Sequence, residues 1–137
     1  QLSHLYSNLI NDLETKKKIS QEYNLNPEIL GSWMHSLNYV RNICAHHGRI
    51  WNTRFEKRKL TIPQQPPDLN SAWNSGNNTD SSFYGMFLMM FFVLKHLDKS
   101  EAEHLLESFK NISNQYNIDI NELGFSLNWL NETIFDN

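Results

Sequence analysis

Apolar residues recur at helical spacing within the stretch from Pro27 to Asn52. At about 100° per residue, this stretch has one apolar face and one polar face. Asn26 is a good N-cap, Pro27 suits the first helical position, and Gly48 is placed to end the helix in a left-handed conformation. The apolar stripe comprises Leu30, Trp33, Leu37, Val40 and Cys44. The polar face comprises His35, Asn38, Asn42, His46 and Arg49, with Arg41 on the border. We therefore expect one long amphipathic helix, hereafter the motif helix.

Helical periodicity also appears before and after the motif helix. The further helices that it predicts cover residues 2–12, Glu14 to Tyr23, Ser82 to about Leu97 with Asp80 or Ser81 as cap, and a last long helix to about Tyr116. Ser100 followed by Glu103 has the capping-box spacing for the start of that last helix. The helix that follows Ser82 is apolar all round, which is typical of a helix buried on most sides.

Two segments lack clear periodicity. Thr61 to Thr79 is rich in Pro, Asn and Ser, which predicts a long loop of the functional or mobile kind. Asn117 to Asn137 predicts a short helix and an irregular tail that docks on the helices. No run alternates well enough to predict a sheet. We therefore expect an all-α helical bundle, in a single domain over residues 1–137, with a long loop between the motif helix and the central apolar helix.

Composition narrows the class of protein. The 137 residues carry a net charge of −3, which argues against a protein that coats nucleic acid non-specifically. The most apolar run, Phe83 to Leu94, has 12 residues and is too short to cross a bilayer, so we expect no membrane association. Cys44, the one cysteine, has no intrachain partner and lies on the apolar stripe, which favours a buried structural thiol. A reducing, cytoplasmic location fits these features.

The charges are segregated along the chain. Six of the 12 basic residues fall in one short segment: Arg41, Arg49, Arg54, Lys57, Arg58 and Lys59. From Asp98 onward there are eight acidic residues against two basic ones. Such asymmetry can draw an anionic ligand to one face. A solvated loop that happens to be basic explains the same residues equally well.

Three histidines on one helix raise the question of a metal. His35, His46 and His47 all belong to the motif helix. Adjacent helical side chains point about 100° apart, however, and no HExxH pattern or third ligand accompanies them. We therefore expect no metal site and no cofactor.

Arg41, Asn42 and His46 are the candidate catalytic residues. Asn42 and His46 lie one helical turn apart, and the long Arg41 side chain can reach the same substrate or serve a neighbouring subunit. A permanent cation, an amide and a group that titrates near neutral pH suffice to cleave RNA without a metal. One histidine does not easily perform both proton transfers, so a second copy of the helix would be needed. The same residue types also form surface ion pairs, and histidines stabilise helix C-termini.

The longer sequence context carries a family resemblance. SWMHSLNYVRNICAHHGRIWN, from Ser32 to Asn52, resembles the signature of the Abi family of bacterial abortive-infection (phage-resistance) proteins, of the AbiD and AbiF type. LYSNL at Leu5 to Leu9, KKKISQEYNL at residues 16–25 and LGFSLNW at Leu123 to Trp129 are also similar to that family. The family belongs with the HEPN superfamily of helical nucleases, whose Arg–polar–His pattern Arg41, Asn42 and His46 match.

The resemblance implies a metal-independent, toxin-like endoribonuclease that acts in defence against phage. It implies a HEPN-like bundle and a homodimer that associates through the helix over residues 27–47. His46 would be the acid/base, Arg41 would hold the scissile phosphate, and Asn42 would orient one of them. The RNA-binding set would be His47, Arg49, Arg54, Lys57, Arg58 and Lys59. An antitoxin or other regulator is an expected further partner.

Two departures and two alternatives accompany the resemblance. Family members carry a further N-terminal portion, so we expect this chain to be the C-terminal part of a longer protein. Gly48 and Thr53 stand where the family has Ser and Arg, which affects only peripheral RNA contacts. The first alternative is a non-catalytic RNA-binding or dimerisation module of a phage-defence system. The second is a protein-interaction domain whose polar stripe is a dimer seam.

Overall fold

The described part of the chain is helical. A computed structural model describes residues 13–50, 53–56 and 59–136, and this part holds five α-helices and no strand. The helices are α1 Leu13–Glu22, α2 Pro27–Ala45, α3 Pro67–Ser75, α4 Phe83–Leu97 and α5 Lys99–Gln115, followed by the 3-10 turns Trp129–Asn131 and Thr133–Phe135. The all-α prediction is confirmed. The helix expected over residues 2–12 lies outside the described residues.

The motif helix, α2, begins as its sequence predicts. The side chain of Asn26 accepts a hydrogen bond from the Glu28 backbone N–H at 2.9 Å, and Pro27 opens the first turn. Trp33 is completely buried and donates its indole N–H to the Thr61 carbonyl oxygen at 3.2 Å. Burial of this face fixes which side of α2 remains outside.

The end of α2 differs from the prediction. The helix stops at Ala45, and the left-handed residue is His47, with φ 52°, instead of Gly48. The N–H of Gly48 donates to the Ile43 carbonyl at 2.8 Å and that of His47 to the Cys44 carbonyl at 3.1 Å, which is a Schellman motif. A Cβ at position 48 would lie 2.7 Å from Ile43 Cγ2, so a glycine at this position lets the backbone pass close to the Ile43 side chain. The motif helix therefore reaches neither residue 47 nor residue 52.

The expected long loop contains a helix. Within residues 61–79, α3 buries Leu69, Ala72 and Trp73, and the Trp73 ring stacks on Trp33 at 6.2 Å with planes 6° apart. The prediction of a structureless segment is wrong. Three apolar residues at helical spacing are enough to stabilise a short helix here, because the ring of Trp33 on α2 packs against it. This packing joins α2, α3 and α4, since Phe92 of α4 meets the Trp33 ring edge-on at 5.9 Å.

The central helix α4 is buried on most sides, as predicted. Its N-cap is Ser82, whose hydroxyl accepts from the Gly85 N–H, so the prediction of Asp80 or Ser81 as cap is wrong. Asp98, not Ser100, caps α5, because its carboxylate accepts from the Ser100 and Glu101 N–H groups. The predicted cap, Ser100, is therefore two residues too late in the chain.

The tail docks on the bundle, as predicted. Trp129 and Phe135 are buried, and the two rings meet edge to face at 5.1 Å. Lys95 of α4 donates to the carbonyl oxygens of Ile134 and Asp136 at 2.7 and 2.9 Å. None of the described helices combines the length and the apolarity that a membrane crossing requires.

Candidate functional site

The three candidate catalytic residues lie together at the carboxyl end of α2. Arg41 and Asn42 belong to its last two turns, and His46 is the C-cap residue. All three are exposed. The His46 backbone N–H donates to the Asn42 carbonyl at 3.1 Å, which holds the two residues one turn apart. The end of the helix thus presents a guanidinium, an amide and an imidazole to the same solvent-facing surface.

Arg41 and Asn42 are directly coupled. The Arg41 Nη1 donates to the Asn42 Oδ1 at 3.1 Å. This hydrogen bond occupies the amide oxygen and leaves the amide N–H groups as donors toward solvent, together with the other guanidinium N–H groups. Within the described part of the chain, no side chain hydrogen-bonds to the His46 imidazole. Its two ring nitrogens are therefore accessible to a substrate proton.

One residue on this surface escapes the sequence prediction. Tyr39 is 38% exposed and lies three positions before Asn42 and seven before His46, so it shares their helix face. Its ring meets the edge of Phe55 at 6.2 Å with the planes 85° apart. The signal was available as helical spacing, but an aromatic residue between two predicted faces does not stand out. His35 is exposed one turn earlier, and Asn38 is half-buried.

The predicted RNA-binding set divides into three parts. His47, Arg49 and Arg54 are exposed, whereas Lys57 and Arg58 lie outside the described residues. Lys59 is ion-paired with Asp80 at 3.3 Å and with Glu56 at 3.6 Å. The hydrogen bond and the charge of Asp80, assisted by Glu56, raise the pKa of the Lys59 ammonium. Its charge is therefore partly compensated within the protein.

Cys44 is exposed, so the expectation of a buried structural thiol is wrong. In the last turn of α2, Ile43 is half-buried, whereas Asn42, Cys44 and Ala45 are exposed. The described residues hold no group of three or more His, Cys, Asp or Glu side chains placed to bind a metal ion.

A polar cleft is lined in part by Thr53 and Arg54, which belong to the segment that follows the motif helix. It has a volume of about 130 Å³, and its polar lining includes Arg54, Asn77, Asn78, Ser82, Asn121 and Glu122. Phe83 and Leu123 add apolar surface. Three chain segments that are distant in sequence build this cleft, so no local motif could predict it.

Comparison with known proteins bears on the first part of the chain. Residues 1–52 match the family model described as Abi-like protein. No curated protein and no solved structure matches the chain. The match includes Arg41, Asn42 and His46 and ends before Arg54 and the cleft. The segment that carries the candidate catalytic residues is therefore the segment that is similar to the Abi-like family.

Proposed function

We propose that this protein is a metal-independent endoribonuclease of the HEPN type that acts in abortive-infection defence against phage, in the cytoplasm and under the control of a regulator. The observation that carries the proposal is the shared exposure of Arg41, Asn42 and His46 at the end of α2. The Abi-like similarity over residues 1–52 supports the biological setting.

The trio supplies the groups that RNA cleavage by internal attack requires. A base removes the proton of the 2′-OH, the 2′-oxygen bonds to phosphorus, and the bond from phosphorus to the 5′-oxygen breaks. Arg41 offsets the charge that develops on the phosphoryl oxygens, and an acid protonates the departing 5′-oxygen. The products are a 2′,3′-cyclic phosphate and a 5′-hydroxyl. Asn42 keeps the Arg41 guanidinium oriented through their 3.1 Å hydrogen bond.

The proposal includes a homodimer that associates through α2. Two proton transfers are needed, and the end of α2 offers one imidazole on the face shared with Asn42. A second copy whose α2 faces the first would bring a second His46 to the same phosphate. The exposed residues His35, Tyr39 and Asn42 provide surface for that contact.

Replacement of His46 tests the catalytic assignment. His46→Ala should lower the RNA cleavage rate by about 100-fold or more, because it removes a general acid/base. His104→Ala is the matched control, since His104 is exposed on α5 and belongs to no proposed site. Circular dichroism should show unchanged helix content in both variants. Cleavage by His46→Ala at the parent rate would overturn the assignment.

A non-catalytic RNA-binding or dimerisation module is the second candidate. The observation that favours it is that, among the described residues, the His46 imidazole has no partner to orient it. This candidate predicts RNA binding that weakens steeply with salt and leaves the RNA intact after long incubation, with or without EDTA.

A further inference from the structure

The polar cleft brings unpaired polar groups together. Arg54 and Glu122 both line it, yet no ion pair joins them, and neither has an ion-pair partner in the part of the chain that the structure describes. The side-chain amides of Asn77 and Asn78 likewise have no hydrogen bond to any described residue. A cation, a carboxylate and two amides are thus available to a ligand in one small cavity.

Backbone hydrogen bonds hold the walls of the cleft in place. The Asn77 N–H donates to the Gly124 carbonyl at 2.8 Å, and the Tyr84 N–H donates to the Leu123 carbonyl at 2.9 Å. The third wall is tied by the Phe55 N–H, which donates to the Ser81 carbonyl at 2.8 Å. Because the three segments are hydrogen-bonded to one another, little ordering is required when a ligand binds.

The chemistry of the lining selects the ligand class. A simple anion would be repelled by Glu122, and a simple cation by Arg54. A nucleotide unit suits both, because its phosphate pairs with a guanidinium and its base edge offers donors and acceptors to amides and carboxylates. Phe83 and Leu123 add apolar surface to the lining.

The cleft is connected to the end of the motif helix through Thr53 and Arg49. The Thr53 hydroxyl, which lines the cleft, donates to the Arg49 carbonyl at 2.9 Å. Arg49 follows His46 by three residues, so their Cα atoms are at most about 11 Å apart. A strand of RNA that passes His46 and Arg49 therefore reaches the cleft within a short distance.

We propose that the polar cleft formed by Arg54, Asn77, Asn78 and Glu122 binds one nucleotide unit of the same RNA strand and selects its base. This inference rests on the proposed ribonuclease function. Glu122 accepts a hydrogen bond from an exocyclic amino group, so adenine, cytosine and guanine, which carry one, are favoured over uracil, which does not. Arg54 holds the phosphate and serves all four bases alike.

Binding to four homopolymeric RNA oligonucleotides tests the base selection. The measurement is fluorescence anisotropy at fixed salt, with all proteins carrying His46→Ala so that the RNA stays intact. Without further change, oligo-A, oligo-C and oligo-G should bind about tenfold more tightly than oligo-U. Adding Glu122→Gln should reduce that preference, whereas Glu107→Gln, at an exposed acid on α5, should not. Arg54→Ala should weaken binding to all four.

A second readout locates the bound nucleotide. In nitrogen-edited NMR spectra, CMP or the oligonucleotide should shift the side-chain amide signals of Asn77 and Asn78. Amide shifts in a titration with CMP would show that the cleft also binds free nucleotides. Amide shifts with the oligonucleotide but not with CMP would show that the cleft binds only the RNA strand. Unshifted amide signals with both ligands, or a base preference that survives Glu122→Gln, would overturn the inference.

The two proposals fail separately. RNA cleavage by the unaltered protein with no response at the cleft would overturn the base-selecting cleft and leave the nuclease standing. Amide shifts and base preference without any cleavage would overturn the nuclease and leave a nucleotide-binding cleft.

Discussion

Alkaline pH tests whether Tyr84 is buried between α3 and α4 as the structure places it. Its side chain is 0% exposed, and its hydroxyl donates to the Ala72 carbonyl at 2.8 Å. Burial raises the pKa of Tyr84 to about 12, from 10.0 for a free phenol. Between these two values the folded state keeps a proton that the unfolded state has lost. The free energy of unfolding must therefore fall as the pH rises through this window.

The magnitude follows from the size of the shift. Each unit of difference in pKa corresponds to about 1.4 kcal/mol, so the loss is about 1.4 kcal/mol at pH 11 and approaches about 2.7 kcal/mol above pH 12. Tyr84→Phe removes this titration and one hydrogen bond, which contributes about 1 kcal/mol. The Ala72 carbonyl also accepts from the Ser75 hydroxyl at 2.9 Å, so the variant leaves no orphaned acceptor.

These opposing effects predict two stability curves that cross. At pH 8 the Tyr84→Phe variant should be less stable than the parent by about 1 kcal/mol. The difference should vanish near pH 11 and then reverse. Urea unfolding followed by circular dichroism at pH 8, 10 and 11.5 measures it, with Tyr116→Phe as the control because Tyr116 is 68% exposed. A gap between parent and Tyr84→Phe that stays constant with pH would refute the burial argument.

Two further substitutions test the packing and the end of the motif helix. Trp33→Ala should lower the free energy of unfolding by about 3–5 kcal/mol, because it empties a fully buried site stacked on Trp73; a loss below about 1 kcal/mol in urea unfolding would contradict that packing. His47→Gly should raise stability by about 0.5–1 kcal/mol, because glycine adopts a left-handed conformation without strain. The same variant should still cleave saturating RNA at the parent rate, since His46 carries the proton, and a loss of cleavage comparable to that of His46→Ala would show that His47 takes part.

Part of the fold could be predicted because the relevant signals are local. Asn26 and Pro27 mark the start of α2 by side-chain chemistry that needs no tertiary context. The apolar run that begins at Phe83 predicts a buried helix from composition alone. Helix α3 could not be predicted in this way, because its stability comes from the stacking of Trp73 on Trp33, 40 positions earlier in the chain.

The site shows the same division. The spacing of Asn42 and His46 predicts their shared face because a helix repeats every turn. The left-handed residue is His47 and not Gly48, and the sequence does not reveal this. Gly48 instead lies so close to Ile43 that a Cβ would not fit. The pairing of Lys59 with Asp80 and the assembly of the cleft are long-range in sequence, so neither leaves a local pattern.

The chemical nature of the RNA ends tests the central claim most directly. RNA incubated with the purified protein in excess EDTA should be cleaved to products with 2′,3′-cyclic phosphate and 5′-hydroxyl ends. A single 2′-deoxy substitution at the cleaved position should block the cut there, because the attacking oxygen is gone. Both results are expected if Arg41 and His46 perform the reaction without a metal. Products with 3′-hydroxyl and 5′-phosphate ends that appear only when a divalent metal ion is added would contradict the account.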